Sequence, residues 1–463
     1  MRRETPFPNT LDGFKRNEIP NVHNGMTKTI STSKHSQNTN KCLHFDNASA
    51  TIYDMDKVIL HCDANNFYAS VACMLDKSLE GKCVAVAGDP TKRHGIILAK
   101  NQRAKEMGVK TGDVIWEAQK KCPDLVLVAP RYDMYVKYSD ILFDIYTQYT
   151  DRVEPFGIDE CWLDVTHSLK LFGSGEEIAD TLRERIKKEV GITISVGVSF
   201  NKIFAKLGSD MKKPDATTVI SRENYRQKTW GLPASDMLMI GRKTCAKLEL
   251  MGIKTIGDLA KTNVEVLKRK FGVNGEKMYQ NANGIGDEDV RLYYQPHIPK
   301  SISNGTTMPK DVTDMSEINA VLTALSEMVA IRMRRYDFEA SGVGVAIRYN
   351  DFSGVSQQAR LVVPTANAGI IRDNAVQLLN KVRQLGKPIR GLYVFAWDLS
   401  ADKERQATIW DDCEQSEKKS RLDRSIDRLR SKYGYNVVQS ARVLEHPYLC
   451  GQLEDSDFRP FKK

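Results

Sequence analysis

The 463 residues contain no apolar run approaching the ~18 needed to span a bilayer as a helix. That excludes a helical integral membrane protein. The N-terminus is polar and lacks an apolar core segment, so no secretory signal is expected. Zinc-finger and disulfide signatures are missing as well. None of the nine cysteines forms a CxxC pair, and none has a histidine at zinc-finger spacing. Their odd number, and the position of several inside apolar runs, predict reduced thiols in a reducing compartment, hence a cytoplasmic protein. No internal repeat is evident. The chain is basic, with Lys+Arg 68 against Asp+Glu 59, a net charge of +9. That excess suits a polyanionic partner without identifying one.

Residues 1–54 are rich in Ser, Thr, Asn, Lys and Arg and lack periodicity; disorder is expected there. Ordered structure is expected from Met55 onward. The apolar run 57–62 predicts a buried strand ending at Asp63, followed by a turn and a helix over 67–75. A strand over 83–87, a helix over 100–107 closed by Gly108, a strand over 125–129 and a helix over 134–149 follow. Residues 152–165 predict two strands around a tight bend. A helix over 175–190, a strand over 193–198 and a helix over 202–211 complete this part. Strands and helices alternate throughout, as in an α+β or α/β core. Residues 231–296 change character, to short helices with glycine turns. Residues 297–400 predict strand, helix, strand, strand, helix, strand, a βαββαβ order. Beyond them lies a polar tail with one helix, 416–433.

The chemical signal is a set of carboxylates. Asp63 is delivered to the end of an apolar strand, where sheet enzymes place their sites. Asp159 and Glu160 sit at the turn between two strands. Neighbours in a flat strand face opposite ways, so both reach one site only if the backbone bends; Pro155 and Gly157 supply a reason for a bend. An isolated Asp-Glu pair is ordinarily a solvated turn. Three converging carboxylates would instead suit Mg²⁺, which takes oxygen ligands and keeps places for phosphates. Two such ions clamp both oxygens of a phosphoryl transfer.

The flanking residues decide between these readings. His61-Cys-Asp-Ala-Asn-Asn-Phe-Tyr-Ala-Ser-Val71 and Phe156-Gly-Ile-Asp-Glu-Cys-Trp-Leu-Asp-Val165 resemble the two catalytic motifs of Y-family translesion DNA polymerases. The DinB, or DNA polymerase IV, branch is the nearest. The stretches 95–109, 122–125 and 201–215 also fit, and the resemblance runs in order over about 57–400.

The resemblance implies a right-hand α+β architecture. The palm would be 55–66 with 131–230, and the fingers 67–130. A helical thumb with helix-hairpin-helix elements would be 231–296, and a βαββαβ little finger 297–400. A tail, 401–463, would carry a clamp-binding peptide and a helix. It implies an error-prone DNA polymerase that adds dNTPs to a primer 3′ end and copies past damaged bases without proofreading. The cofactor would be two Mg²⁺ ions on the side chains of Asp63, Asp159 and Glu160 and the carbonyl of Ala64. Tyr68, with Phe67 beside it, would be the gate that excludes a 2′-hydroxyl. Backbone N–H groups near Asn66, Phe67 and Tyr68 would meet phosphates.

Two fingers positions depart from the family's usual Tyr and Arg: here they are Gln102 and Lys105. A lysine offers a point charge and not a bidentate fork, so a weaker dNTP site is expected. Lys213 matches a palm lysine that reaches the triphosphate. Ile240-Gly-Arg-Lys-Thr-Cys-Ala-Lys-Leu-Glu-Leu-Met-Gly-Ile-Lys-Thr-Ile-Gly-Asp-Leu259 resembles helix-hairpin-helix elements. There Gly241 and Gly252 would let backbone N–H groups reach a DNA phosphate, aided by Lys243, Lys247 and Lys254. Arg332, Arg334 and Arg335 fall near the end of the first little-finger helix; two of them are expected on DNA phosphates, with a role as dipole partners the alternative. Ile96 and Leu98 fall over the templating base. Gln406-Ala-Thr-Ile-Trp410 resembles a sliding-clamp peptide, with Gln406, Ile409 and Trp410 as anchors for the β subunit. The partners implied are primer–template DNA, dNTPs and that clamp, with no membrane, and the chain is expected to be a monomer. Two rival readings are a non-catalytic DNA- and clamp-binding protein and a nucleotidyl cyclase.

Overall fold

The computed structural model describes residues 56–89, 95–286, 289–295, 298–401 and 413–450. The expected disordered extension and the clamp peptide lie outside these residues. In chain order the strands are β1 (Ile59–Ala64), β2 (Val84–Ala87), β3 (Ile97–Lys100), β4 (Val126–Val128), β5 (Val153–Pro155) and β6 (Glu160–Asp164). Then come β7 (Ile194–Ser199), β8 (Thr217–Ile220), β9 (Ser301–Val312), β10 (Glu339–Tyr349), β11 (Gly354–Thr365) and β12 (Ile389–Ser400).

β1 is the middle strand of a five-stranded sheet, β5-β6-β1-β7-β8. A strand paired on both edges and covered on both faces reads as a continuous apolar run, and all six of its residues are buried. Its side chains alternate between two environments. Leu60, Cys62 and Ala64 pack with Leu142, Ile178 and Leu182, from helices Tyr132–Tyr146 and Gly175–Val190. On the other face Ile59 packs with Trp162 and with Ala205 of helix Lys202–Met211. Asp63 shares that second face. The helix Gly175–Val190 falls where its pattern predicts, opened by a Ser174–Glu177 capping box and closed by Gly191 at φ 78°.

β1 extends further than expected. It runs through Asp63 to Ala64, because both residues pair with β7, opposite Ser195 and Ile194. The helix expected over 100–107 is shorter, Gln102–Glu106, and Ile97–Lys100 is a strand instead. Asn101 makes the division. Its side-chain oxygen accepts from Val84 N and from Ala104 N, and its amide donates to the Lys82 carbonyl. One side chain thus ties the strand to β2 and caps the helix. β3, β2 and β4 form a separate three-stranded sheet.

Residues 242–282 hold four helices, Arg242–Glu249, Ile256–Lys261, Val264–Phe271 and Val273–Ala282. They close over Leu248, Ile256, Leu259, Leu267 and Met278. Residues 301–400 form the expected βαββαβ sequence, with strand order β11-β10-β12-β9, all neighbours antiparallel. Each strand–helix–strand unit therefore straddles an intervening strand, the split βαβ arrangement.

The helix expected over 416–433 in the polar C-terminal segment is present as Cys413–Tyr433. Helix Cys413–Tyr433 is docked by ion pairs. Arg334 donates to both Asp427 oxygens at 2.6 and 2.8 Å and lies 3.5 Å from Asp423. Arg430 meets Glu327 at 2.8 Å, and Arg335 donates to the Tyr435 hydroxyl. Arg332 donates to the Ser303 carbonyl. All three arginines lie in the last turn of helix Met315–Arg335, where a basic group suits the helix dipole. Arg334 in particular is spent on holding the C-terminal helix, because its planar fork matches the carboxylate of Asp427.

Candidate active site

β1 and β6 run antiparallel with Asp63 directly opposite Glu160. Glu160 opens β6, and Asp159 sits just before it in a bend spanning 156–159. That bend is the one the two adjacent carboxylates require. It is held by the Asp159 carbonyl, which accepts from Ala64 N at 3.0 Å, and by Ser139, whose hydroxyl donates to the Ile158 carbonyl. The sheet therefore presents Asp63 and Glu160 side by side, while Asp159 turns into the adjoining cleft.

That cleft, about 240 Å³, is lined by Asp63, Ala64, Phe67, Tyr68, Leu98, Lys100 and Asp159 among others. Phe67 is buried and Tyr68 half-buried. Tyr68 stacks flat on Tyr135 at 4.0 Å between ring centres. Burial pushes its phenol up to about 12, with Tyr132 and Asp159 adding to the effect, so the ring is neutral. The turn before it is fixed by Asn65. That side chain donates to Ser195 Oγ and accepts from Thr193 Oγ1 and Asp215 N. Asn66 adopts the left-handed conformation, φ 51°, and helix Phe67–Leu75 starts from it. Asparagine tolerates that region better than most residues.

Two lysines hold the carboxylates. Lys206 Nζ lies 2.9 Å from Asp63 and 2.9 Å from Glu160. Lys213 Nζ lies 2.8 Å from Asp63 and 2.9 Å from Asp210. Burial works against the charge of Lys206, but Asp63, Glu160 and Asp210 hold the ammonium above its ordinary value. Sequence reasoning placed Lys213 here but passed over Lys206. A partial signal existed: Lys206 and Asp210 stand one helical turn apart, with Lys213 just beyond the helix end. His61 was also missed. It lies two residues from Asp63 on the same face, accepts from or donates to Ser209 Oγ at 2.9 Å, and sits 3.6 Å from Glu160. Burial, then Lys206 and Lys213, keep its ring neutral.

The donor set suits a hard divalent cation. Among the described residues, one group of His/Cys/Asp/Glu has ligand atoms within 4.8 Å of one another: His61, Asp63 and Glu160. Asp159 does not join that group, a difference from the expected trio. It interacts with it nonetheless. Burial first, then Asp63 and Glu160, raise its carboxyl from 3.8 to about 7. Burial also raises Glu160, against the pull of Lys206. Carboxylates crowded this way favour a proton or a cation beside them, and Lys206 and Lys213 already supply positive charge to Asp63 and Glu160.

A stability prediction follows from the sign of that shift. The folded protein binds the Asp159 proton more tightly than the unfolded chain, whose carboxyl titrates near 3.8. Metal-free stability therefore falls as pH rises from about 4 to about 7 and stays low above. Asp159→Asn is expected to raise the metal-free Tm at pH 8 and to shrink the further rise given by added Mg²⁺. Thermal melts with EDTA and with Mg²⁺ check both.

The remaining candidates are dispersed. Gln102 turns to Glu106, donating at 3.0 Å, and Lys105 is exposed. Gly241 caps helix Arg242–Glu249, and Gly252 has φ 78°. Open space surrounds both glycines, and Lys243, Lys247 and Lys254 are exposed nearby in sequence. Leu98 lines the cleft, whereas Ile96 faces outward. Gln406, Ile409 and Trp410 lie outside the described residues.

Comparison with known proteins places this arrangement. Residues 62–210 match the impB/mucB/samB family and 299–409 its C-terminal domain; 236–286 match a DNA polymerase-iota thumb domain. DNA polymerase IV of Acetivibrio thermocellus is 44% identical over 393 residues, 84% of this chain and 98% of the relative. DNA polymerase IV of Moorella thermoacetica is 39% identical over 400 residues, 83% of this chain and 96% of the relative. That of Clostridium acetobutylicum is 34% identical, covering 84% and 99%. A solved Y-family DNA polymerase chimera shares the fold, with TM-score 0.65 and 22% identity over 74% of this chain and 98% of its own. The α+β right-hand architecture with a helix-hairpin-helix thumb is that of this neighbour. A sheet that pairs Asp63 with Glu160, matched along its length by such relatives, belongs to a Y-family DNA polymerase of the impB/mucB/samB family, DNA polymerase IV branch.

Proposed function

We infer that this chain is a template-directed DNA polymerase that extends a primer past damaged bases, and that Asp63, Asp159 and Glu160 form its catalytic centre. The observation that carries the assignment is the pairing of Asp63 with Glu160 beside a bend that turns Asp159 into the same cleft. Two Mg²⁺ ions on these side chains and the Ala64 carbonyl would activate the primer 3′-hydroxyl and neutralise the triphosphate. The chain's own residues do the rest by positioning. Lys206 bridges Asp63 and Glu160 and so holds the two carboxylates beside each other. Lys213, resting on Asp63, is placed to exchange that contact for a phosphate oxygen. The first N–H groups of helix Phe67–Leu75 have no partner within the helix and would be open to phosphate oxygens. The palm is read as 55–66 with 131–230, the fingers as 67–130, the thumb as 231–296 and the little finger as 297–400. Gly241, Lys243, Gly252 and Lys254 would grip duplex DNA through its backbone. Gln406, Ile409 and Trp410 would engage a sliding clamp. The chain is read as a monomer, and action in the cytoplasm fits the free thiols of Cys62, Cys73, Cys83, Cys122, Cys161 and Cys245.

Primer extension with Mg²⁺ on undamaged and N2-guanine-adducted templates tests this. Wild type is expected to extend both, and Asp159→Ala/Glu160→Ala neither. Tight DNA binding without extension by wild type would instead mark a non-catalytic clamp- and DNA-binding protein.

The Tyr68 ring, held flat by Tyr135, is rigid enough to exclude a 2′-hydroxyl by contact. Tyr68→Ala is expected to raise ribonucleotide incorporation at least about tenfold. Paired dATP and ATP incorporation assays measure it, and unchanged discrimination would remove the gate from Tyr68.

A further inference from the structure

We propose that Lys100 holds the triphosphate of the incoming nucleotide from the fingers side of the cleft, the task expected of Gln102 and Lys105. The inference rests on the polymerase reading above. Lys100 ends β3, and Leu98, Ala99 and Lys100 all line the cleft shared by Tyr68, Asp63 and Asp159. Three consecutive residues of a regular strand would not face one way. Here the register with β2 slips: Ala85 opposes Lys100, Val86 opposes Ala99 and Ala87 opposes Ile97, leaving Leu98 unpaired. Such a bulge re-aims side chains beside it.

The surroundings of Lys100 fit an anion. Its ammonium donates to Thr111 Oγ1 at 3.0 Å, and Thr111 lines the same cleft. Among the described residues it makes no ion pair. An ammonium has three donors, so two are left over. Burial chiefly, then the neighbouring charges of Lys105 and Lys213, hold it below its ordinary value, with Asp113 opposing. Of these lysines Lys100 is the one that lines the cleft, and its ammonium stands there without a carboxylate partner among the described residues. A half-buried ammonium without a carboxylate partner is matched by an anion entering the cleft. A nucleoside triphosphate supplies the charge and the number of oxygens; a base or sugar supplies neither. Gln102 is turned to Glu106. Lys100 brings its charge into the cleft from the preceding strand.

Single-nucleotide incorporation on an undamaged primer–template tests the assignment. Lys100→Met and Lys100→Gln are expected to raise KM for dNTP about tenfold or more, with kcat and primer–template Kd close to wild type. Lys100→Arg is expected to recover most of the loss. An unchanged KM in both neutral variants, beside an active wild type, overturns the proposal and leaves the polymerase reading standing. A raised primer–template Kd with unchanged KM overturns it too, and moves Lys100 to a DNA phosphate. An inactive wild type defeats the polymerase reading itself.

Discussion

Glu160→Gln is expected to slow nucleotide addition by about 10³-fold or more while leaving primer–template affinity intact. Glutamine keeps the size of the side chain and an oxygen able to accept from Lys206. The pairing of Glu160 with Asp63 across β1 and β6 is a backbone register and does not change. What is lost is one negative charge from the cluster proposed to hold divalent cations. Lys206 would then face Asp63 and Asp210 without its third anion. The metal-free protein is expected to be at least as stable as wild type, because burial already works against the charged form of Glu160. Loss of rate with gain or retention of Tm separates a catalytic role from a structural one. Single-turnover extension and thermal melts, run on the same preparation, give both readings. A rate within tenfold of wild type would take Glu160 out of the centre.

Much of this site was legible because its determinants are local. The apolar run before Asp63, the Pro155–Gly157 bend and the helix opened by Ser174 each carry their signal within a few residues. The boundaries that failed depend on long-range partners. Asn101 divides strand from helix only because Val84 and Lys82 lie alongside it. Arg334 reads as a free basic helix end until Asp427, far along the chain, arrives to claim it. Lys206 reads as surface charge because its spacing from Asp210 marks only a shared helix face, and what lies under that face is set by the distant strands β1 and β6. Lys100 escaped notice for a related reason: the bulge that turns it into the cleft is a property of pairing with β2.

Gly197→Ala is expected to destabilise the protein by about 3 kcal/mol or more, and it tests how that helix is positioned. Gly197 lies in β7 directly opposite His61. A Cβ there would fall 1.9 Å from the Ala205 carbonyl oxygen and 2.5 Å from Ser209 N. Both are backbone atoms of helix Lys202–Met211, so no rotamer change relieves the contact; the helix must move. Gly208 completes the close approach, its own Cβ position lying 3.2 Å from Gly197 Cα. Gly208→Ala is expected to cost less, since a shift of a few tenths of an ångström suffices. Urea denaturation of the two variants should rank them in that order, and a Gly197→Ala loss under about 1 kcal/mol would mean that the sheet yields easily. The functional cost should exceed the thermal one. Lys206 follows Ala205 directly and meets Asp63 and Glu160 at 2.9 Å each. A helix pushed off the sheet carries that ammonium away from both carboxylates. Extension activity is therefore expected to fall in Gly197→Ala even at temperatures where the variant remains folded.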